Sequence, residues 1–491
     1  MQDTLGTRLK ENIRSMKAAV GNSNDIVFRE FAVGEGMFKK DALIVYTDGL
    51  VDIKTVQEFV LGKMIADLQR INPTKDELFN KLGASEMKKV KDWDSLYSNL
   101  MGGDTIFLLD GLAEACIFDT RGFKDRGVTE ATSETVIRGP KESFSESIRT
   151  NTALIRRKIK DPNLWLETRQ IGKVSKTDVS IMFINGIVND KVVEEVRTRL
   201  DRIDIDGILE SGYIEEMIQD ASFSPFPTMY NSERPDVIAA ELMEGKVAIL
   251  VDGTPHVLVV PALFISFLNS PEDYYQRWDI SSLVRSLRFV GILIGLLGPS
   301  MYIAITTFHQ EMIPTQLLIS LASQREGTPF PAFVEALIME VTFEILREAG
   351  IRMPRPIGQA VSIVGTLVIG QAAVEAGIVS AAMVIVVAIT AISSFVVPAT
   401  NMSISIRMLR FPLMVLAATF GLFGIIVGVI VLVLHLCSLR SFGVPYMSPF
   451  GPFNLKDQKD ALIRLPQWAM TTRPRLISQK NNVRRRIRGK I

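Results

Sequence analysis

The stretch FPLMVLAATFGLFGIIVGVIVLVLHL, residues 411–436, contains no Asp, Glu, Lys or Arg. A helix needs roughly 20 mostly apolar residues to cross about 30 Å of hydrocarbon. This run exceeds that length, so it reads as a transmembrane helix. Two further runs meet the same requirement, FVGILIGLLGPSMYIAITTF (289–308) and IVSAAMVIVVAITAISSFVVP (378–398). A fourth, IGQAVSIVGTLVIGQAAVEAG (357–377), is long enough but carries Gln359, Gln371 and Glu375.

Outward from these runs the composition changes. The chain has 491 residues, a net charge of +1 and 22% charged residues. Those averages hide a segregation, because acids and bases crowd residues 1–288 and nearly vanish from the long runs after 289. The near-neutral balance argues against a nucleic-acid partner, which would call for a basic excess. Cys116 and Cys437 lie in different regions, so no disulfide framework is implied. The opening MQDTLGTRLKENIRS has no apolar core and no small-residue cleavage site, and does not read as a signal peptide. The N-terminal region is therefore expected to stay in the cytoplasm.

The flanks suggest an orientation. Arg285 and Arg288 precede the first span, and Arg440, Arg473, Arg475, Lys480 and Arg484 follow the last. By the positive-inside rule both ends belong on the cytoplasmic side, which agrees with four spans. The basic tail, 441–491, reads either as a lipid-headgroup contact or as a solvated tail. Residues 313–348 fit no simple span. Within FVEALIMEVTFEILRE (333–348), Glu340, Glu344 and Glu348 form one helical stripe with Arg347 nearby. Such a helix is expected to be re-entrant or amphipathic, and to lie at an interface or line water inside a bundle.

The charged region reads as a duplication. DALIVYTDGLVD (41–52) matches DVSIMFINGIVN (178–189), and GDTIFLLDG (103–111) matches GKVAILVDG (245–253), each pair about 140 residues apart. Each copy reads as a buried strand, an Asp-Gly or Asn-Gly turn, helices and a hairpin. The Asp-Gly acids are expected to serve the turns rather than chemistry. The resulting fold class is a duplicated soluble α/β N-terminal region followed by an α-helical, multi-span membrane domain. The expected boundaries are 1–138 and 139–270 for the two α/β units, 271–288 for an interfacial linker and 289–440 for the helical domain.

Enzymatic chemistry finds no support. His256, His309 and His435 form no zinc-type pair, and neither a phosphate loop nor a nucleophile elbow is present. No cofactor and no metal site are expected.

Long motifs carry a family resemblance. VDGTPHVLVVPALF, SPEDYYQRW, YIAITTFHQEMIPT, REGTPFPAFVEALIMEVTFEILREAGIRMPRPIG and LRSFGVPYMSP, spread over 245–452, resemble the A subunit of GerA-type spore germinant receptors, as does NSNDIVFREF (22–31). The resemblance implies a place in the inner membrane of the bacterial endospore. It implies two partners, a transporter-like B subunit that recognises the nutrient and a lipoprotein C subunit. It also implies a homo-oligomeric ring, a pentamer in this family, that opens a cation channel. A sister branch of the family amplifies germination without sensing a nutrient, and NSNDIVFREF is closer to the receptor branch.

A cation path needs polar groups facing water within the lipid bilayer. Candidate pore-lining residues are Glu340, Glu344 and Glu348 on the amphipathic stretch, and Gln359, Ser362, Thr366, Gln371 and Glu375 on the 357–377 run. In that run Gln359, Ser362 and Thr366 share one face while Gln371 and Glu375 share another. Polar groups that only join helices together would look the same. A bulky apolar residue at Ser362 or Thr366 is expected to block ion release without preventing insertion. A secondary transporter and a non-conducting scaffold are the competing readings. The acidic–aromatic elbow NSPEDYYQRWD (269–279), with Tyr274, Tyr275 and Trp278, serves either as an interfacial anchor or as the link that transmits a signal.

Overall fold

The computed structural model describes residues 4–33, 39–57, 87–122, 131, 134–354, 370–455 and 457–485. The first repeat comprises α1 (Leu9–Ala19), β1 (Ile26–Val33), β2 (Lys40–Thr47), β3 (Met87–Val90), α2 (Trp93–Leu100), β4 (Thr105–Leu109) and β5 (Ala115–Phe118). The second comprises α3 (Ile148–Lys158), β6 (Leu164–Ile171), β7 (Thr177–Ile184), α4 (Asp190–Asp201), α5 (Ser211–Ile218), β8 (Tyr230–Ser232), α6 (Pro235–Met243), β9 (Val247–Val251) and β10 (Val257–Val260). Each repeat builds a five-stranded antiparallel sheet, ordered β1-β2-β4-β5-β3 and β6-β7-β9-β10-β8. The sequence repeat is thus also a repeat of topology.

The central strands are nearly unbroken aliphatic runs because both of their faces are covered. Leu43, Val45, Ile106 and Leu108 pack beneath α1 and α2, while Ala42, Ile44 and Phe107 face the other side. The turn glycines Gly49, Gly111, Gly186 and Gly253 all sit at φ between +82 and +93. A Cβ on Gly111 or Gly253 would meet nothing within 4 Å, so these two are required by backbone angle rather than space.

The turn acids have matching jobs. Asp110 Oδ1 accepts from the Leu9 N–H at 2.9 Å, and Asp252 Oδ1 from the Ile148 N–H at 3.0 Å. Each therefore satisfies an open N–H in the first turn of the helix that begins its repeat. Between the repeats, Arg156 donates from Nε and Nη2 to Asp25 at 2.6 and 2.9 Å, with both side chains buried. Trp165 Nε1 also donates across this seam to the Ala19 carbonyl.

The helical part comprises α7 (Trp278–Thr307), α8 (Thr315–Arg325), α9 (Ala332–Arg352), α10 (Gly370–Glu375), α11 (Ala381–Phe395) and α12 (Thr400–Ser438). Among the described residues, α7 and α12 are long and apolar enough to cross a membrane. The structure departs from the expected spans at three places. Helix α7 begins at Trp278, so it absorbs much of the anticipated 271–288 linker. Helix α11 has 15 residues, bounded by the Ser380 cap and by Pro398. The 411–436 run is not one straight span. Gly421 adopts φ 62 and ψ −142 and reverses the chain. Gly424 then packs on the Leu416 carbonyl, and a Cβ on Gly428 would lie 2.6 Å from Leu413 Cδ2. In a continuous helix Leu413 and Gly428 would be about 22 Å apart. Residues 400–420 and 422–438 are therefore two antiparallel arms. Hydropathy cannot register this reversal, since glycine in a turn is as apolar as glycine in a helix. Residues 357–369 of the fourth expected span lie outside the described residues.

Glycines set the helix spacing. Gly291 and Gly298 of α7 abut Val396 and Thr390, and Gly295 abuts Ile406. Small residues allow such close approach. The expected basic tail also differs. Over its described residues it folds back on the second repeat, where Tyr446, Ala461 and Ile477 join the core. Ser478 Oγ donates to the Ile187 carbonyl, and Arg473 Nε to the Met243 carbonyl. Arg473, Lys480 and Arg484 reach a carbonyl and carboxylates of the second repeat.

Candidate functional site

The acidic stripe finds partners that lie outside the apolar runs. Glu340 on α9 pairs with Arg410 on the first arm of α12, and both side chains are buried. One turn on, Glu344 pairs with Arg407 at 2.6 Å. The helices run antiparallel, so a four-residue step on α9 meets a three-residue step on α12. Glu348 is exposed and pairs with Arg352 on its own helix. Gln371 and Glu375 are exposed on α10, with Gln371 Nε2 donating to Glu375 Oε1 at 2.9 Å. Gln359, Ser362 and Thr366 lie outside the described residues. The structure thus brings Glu340 and Glu344 together and leaves Glu348, Gln371 and Glu375 on the surface of the protomer.

Arg410 is held twice. Pro299 has no N–H, so the carbonyl of Gly295, four residues earlier in α7, lacks its helical donor. Arg410 Nε donates to that carbonyl at 2.8 Å. Nearby, Glu335 is buried, accepts from the Ser380 N–H at 3.0 Å and lies 3.5 Å from Arg325. The charged layer is incompletely satisfied. Glu340 Oε1, Glu344 Oε1, Arg407 Nε and Arg410 Nη2 are buried without a hydrogen bond among the described residues. The same helices also meet in an apolar cluster of Ile303, Ala336, Met383, Met414 and Ala417. Open valences on charged groups of both signs in so apolar a setting favour entry of water. Arg407 and Arg410 escaped the sequence reading because they sit just before the 411–436 run, where arginine reads as a flank. Their i, i+3 spacing against the Glu340/Glu344 i, i+4 spacing was the available signal. Among the described residues, no group of three His, Cys, Asp or Glu could hold a metal ion.

A second charged cluster joins the two parts of the molecule. Asp273, buried in the elbow, accepts from Arg285 Nε at 3.0 Å and from Arg288 Nη1 and Nη2 at 2.6 and 2.9 Å. Arg285 Nη1 also donates to Asp460 of the carboxy-terminal segment at 2.7 Å, and Tyr274 Oη donates to the same carboxylate. Tyr275 Oη donates to Asp236 on α6 at 2.5 Å. Arg285 and Arg288, which the sequence offered as the basic flank of the first span, have their guanidinium groups buried in ion pairs at the base of α7. Tyr274 and Tyr275 likewise hydrogen-bond to protein carboxylates. Trp278 stays exposed.

A duplicated α/β body fastened through buried ion pairs to apolar helices, themselves joined by a charged layer, defines a two-part protein whose sheet-rich half bears directly on the base of its helices. The chain belongs to the Bacillus/Clostridium GerA spore germination protein family, which matches residues 14–476. It is 52% identical to "Spore germination protein KA" of Bacillus subtilis (strain 168), over 97% of this chain and 88% of that protein. It is 45% identical to "Uncharacterized membrane protein YfkQ" of the same organism, over 97% and 93%. The crystal structure of the N-terminal domain of the A subunit of the Bacillus megaterium spore germinant receptor GerK3 aligns with 53% of this chain and 98% of that chain, at 43% identity and a TM-score of 0.43.

Proposed function

We propose that this chain is the A subunit of a nutrient-responsive spore germinant receptor and that copies of it form a cation-conducting channel in the inner spore membrane. The family membership and the relatives' names support the receptor role. The observation that carries the channel reading is the incompletely satisfied layer of Glu340, Glu344, Arg407 and Arg410 among apolar helices. Charged groups at such depth are costly and usually functional. In this reading the helices cross the bilayer several times and both termini face the cytoplasm. Helix α7 starts, and the second arm of α12 ends, against the second α/β repeat, which supports that arrangement: Arg288 reaches the Leu268 carbonyl, and His435 Nε2 lies 2.9 Å from Ser224 Oγ.

A transporter-like B subunit supplies nutrient recognition, a lipoprotein C subunit completes the receptor, and a homo-oligomeric ring surrounds the path. The chain acts by conduction and not by catalysis. The test is co-reconstitution of the three subunits in planar bilayers. Nutrient-dependent monovalent-cation current is expected, reduced in Glu340→Gln. Correctly inserted, assembled complexes that pass no current would overturn the channel reading.

A further inference from the structure

We infer that the cavity between the second α/β repeat, the elbow and the folded carboxy-terminal segment binds a small organic cation, an amine whose ammonium group rests against Asp236 and Asn269. This goes beyond the receptor reading and does not depend on whether the helices conduct.

The cavity measures about 320 Å³, within the range of small-molecule sites. Asp236 and Asn269 are in its wall. The Asp236 side chain is 7% exposed. Its Oδ2 accepts from Arg234 Nη2 at 2.9 Å and from Tyr275 Oη at 2.5 Å. Its Oδ1 is buried and accepts nothing among the described residues, and the same holds for Asn269 Oδ1. A buried acceptor without a donor is costly, and a cation carrying several N–H groups supplies the donors this wall lacks.

The basic groups in the wall are already engaged. Lys246 Nζ lies 2.5 Å from Glu241 and donates to Ser266 Oγ at 3.1 Å, and Arg484 pairs with Glu244 at 3.1 Å. Among the described wall residues an anionic ligand would find no free cation and would meet Asp457 and Asp460 as well. Tyr230 and Tyr275 add aromatic surface suited to a cation and to an apolar tail. An occupant would touch Tyr274 and Tyr275, which immediately follow Asp273, the carboxylate that holds Arg285 and Arg288 at the base of α7.

The test is calorimetric titration of the full chain in zwitterionic nanodiscs with 2-phenylethylammonium chloride, and with 2-phenylethanol as the neutral isostere. Saturable binding of the amine is expected, with the alcohol at least about tenfold weaker. Asp236→Asn should weaken the amine by at least about tenfold. Ala240→Phe should abolish binding by filling the cavity from the exposed side of α6 while leaving the Asp236 bonds in place. Equal binding of amine and alcohol, undiminished binding to Ala240→Phe, or no saturable heat up to about 10 mM would each overturn the inference. Should Asp236→Asn fail to fold, Ala240→Phe decides alone.

Discussion

Arg410 occupies the hydrogen-bonding position that Pro299 leaves empty, donating to the Gly295 carbonyl from a neighbouring helix. A proline inside an apolar helix usually weakens it, but here it prepares an acceptor for a charge that also pairs with Glu340. Backbone and side chain thus hold one guanidinium from two helices.

Arg410→Met should destabilise the helical part by about 3–5 kcal/mol, because it strands the Glu340 carboxylate and the Gly295 carbonyl. The double variant Glu340→Leu/Arg410→Met should recover most of that loss, as removing both charges removes the desolvation cost. In a Pro299→Ala background the Arg410→Met loss should shrink by about 1 kcal/mol, since the substituted alanine would bring its own N–H to the Gly295 carbonyl. Thermal unfolding in detergent measures all three.

Gly421→Ala should cost about 1–3 kcal/mol. The backbone angles φ 62 and ψ −142 suit only glycine, and a Cβ would sit 2.8 Å from His309 Cε1 and 3.1 Å from Phe308. Protease resistance of the α12 hairpin in detergent is the readout. Unchanged resistance would show that the arms are not held by this turn.

Asp110→Ala and Asp252→Ala should each cost about 1 kcal/mol, because each removes a donor's partner at a helix start. Their effects should be similar in size and additive, as expected for separate sites. Chemical denaturation of the full chain tests both points.

Stability should decline as pH rises between about 4.5 and 7. Burial pushes the Glu244 carboxyl up to about 7, and desolvation does the same to Glu134 and Glu215. The folded chain therefore keeps protons that the unfolded chain has released above about 4.5. Their stabilising effect is complete below that point and lost as pH climbs through 7. Glu244→Gln should flatten the melting temperature against pH across this interval.

The repeat was legible because Asp-Gly and Asn-Gly turns need a particular backbone angle, and that need leaves a spaced signature. The division into a charged half and an apolar half was legible from composition alone. The reversal at Gly421 was not, because hydropathy sums side chains and ignores φ. Glu340 and Glu344 stood out as a stripe, yet their meeting with Arg410 and Arg407 depends on an antiparallel contact between helices distant in sequence. The carboxy-terminal segment misled for a related reason. Its arginines read as a solvated or lipid-facing run, whereas Arg473 and Arg484 find a carbonyl and a carboxylate on the second repeat.

The position of Asp460 sets an order of events during biosynthesis. Arg285 lies at the base of the first long helix, and among the described residues one of its two carboxylate partners comes after the last helix. A ribosome must therefore deliver every apolar helix before that partner emerges. Until then Asp273 alone answers Arg285 and Arg288, and the nascent elbow is short of negative charge. Completion of the carboxy-terminal segment accordingly adds the last fastening between the α/β body and its helices, and truncated translation products would lack the Arg285–Asp460 pair.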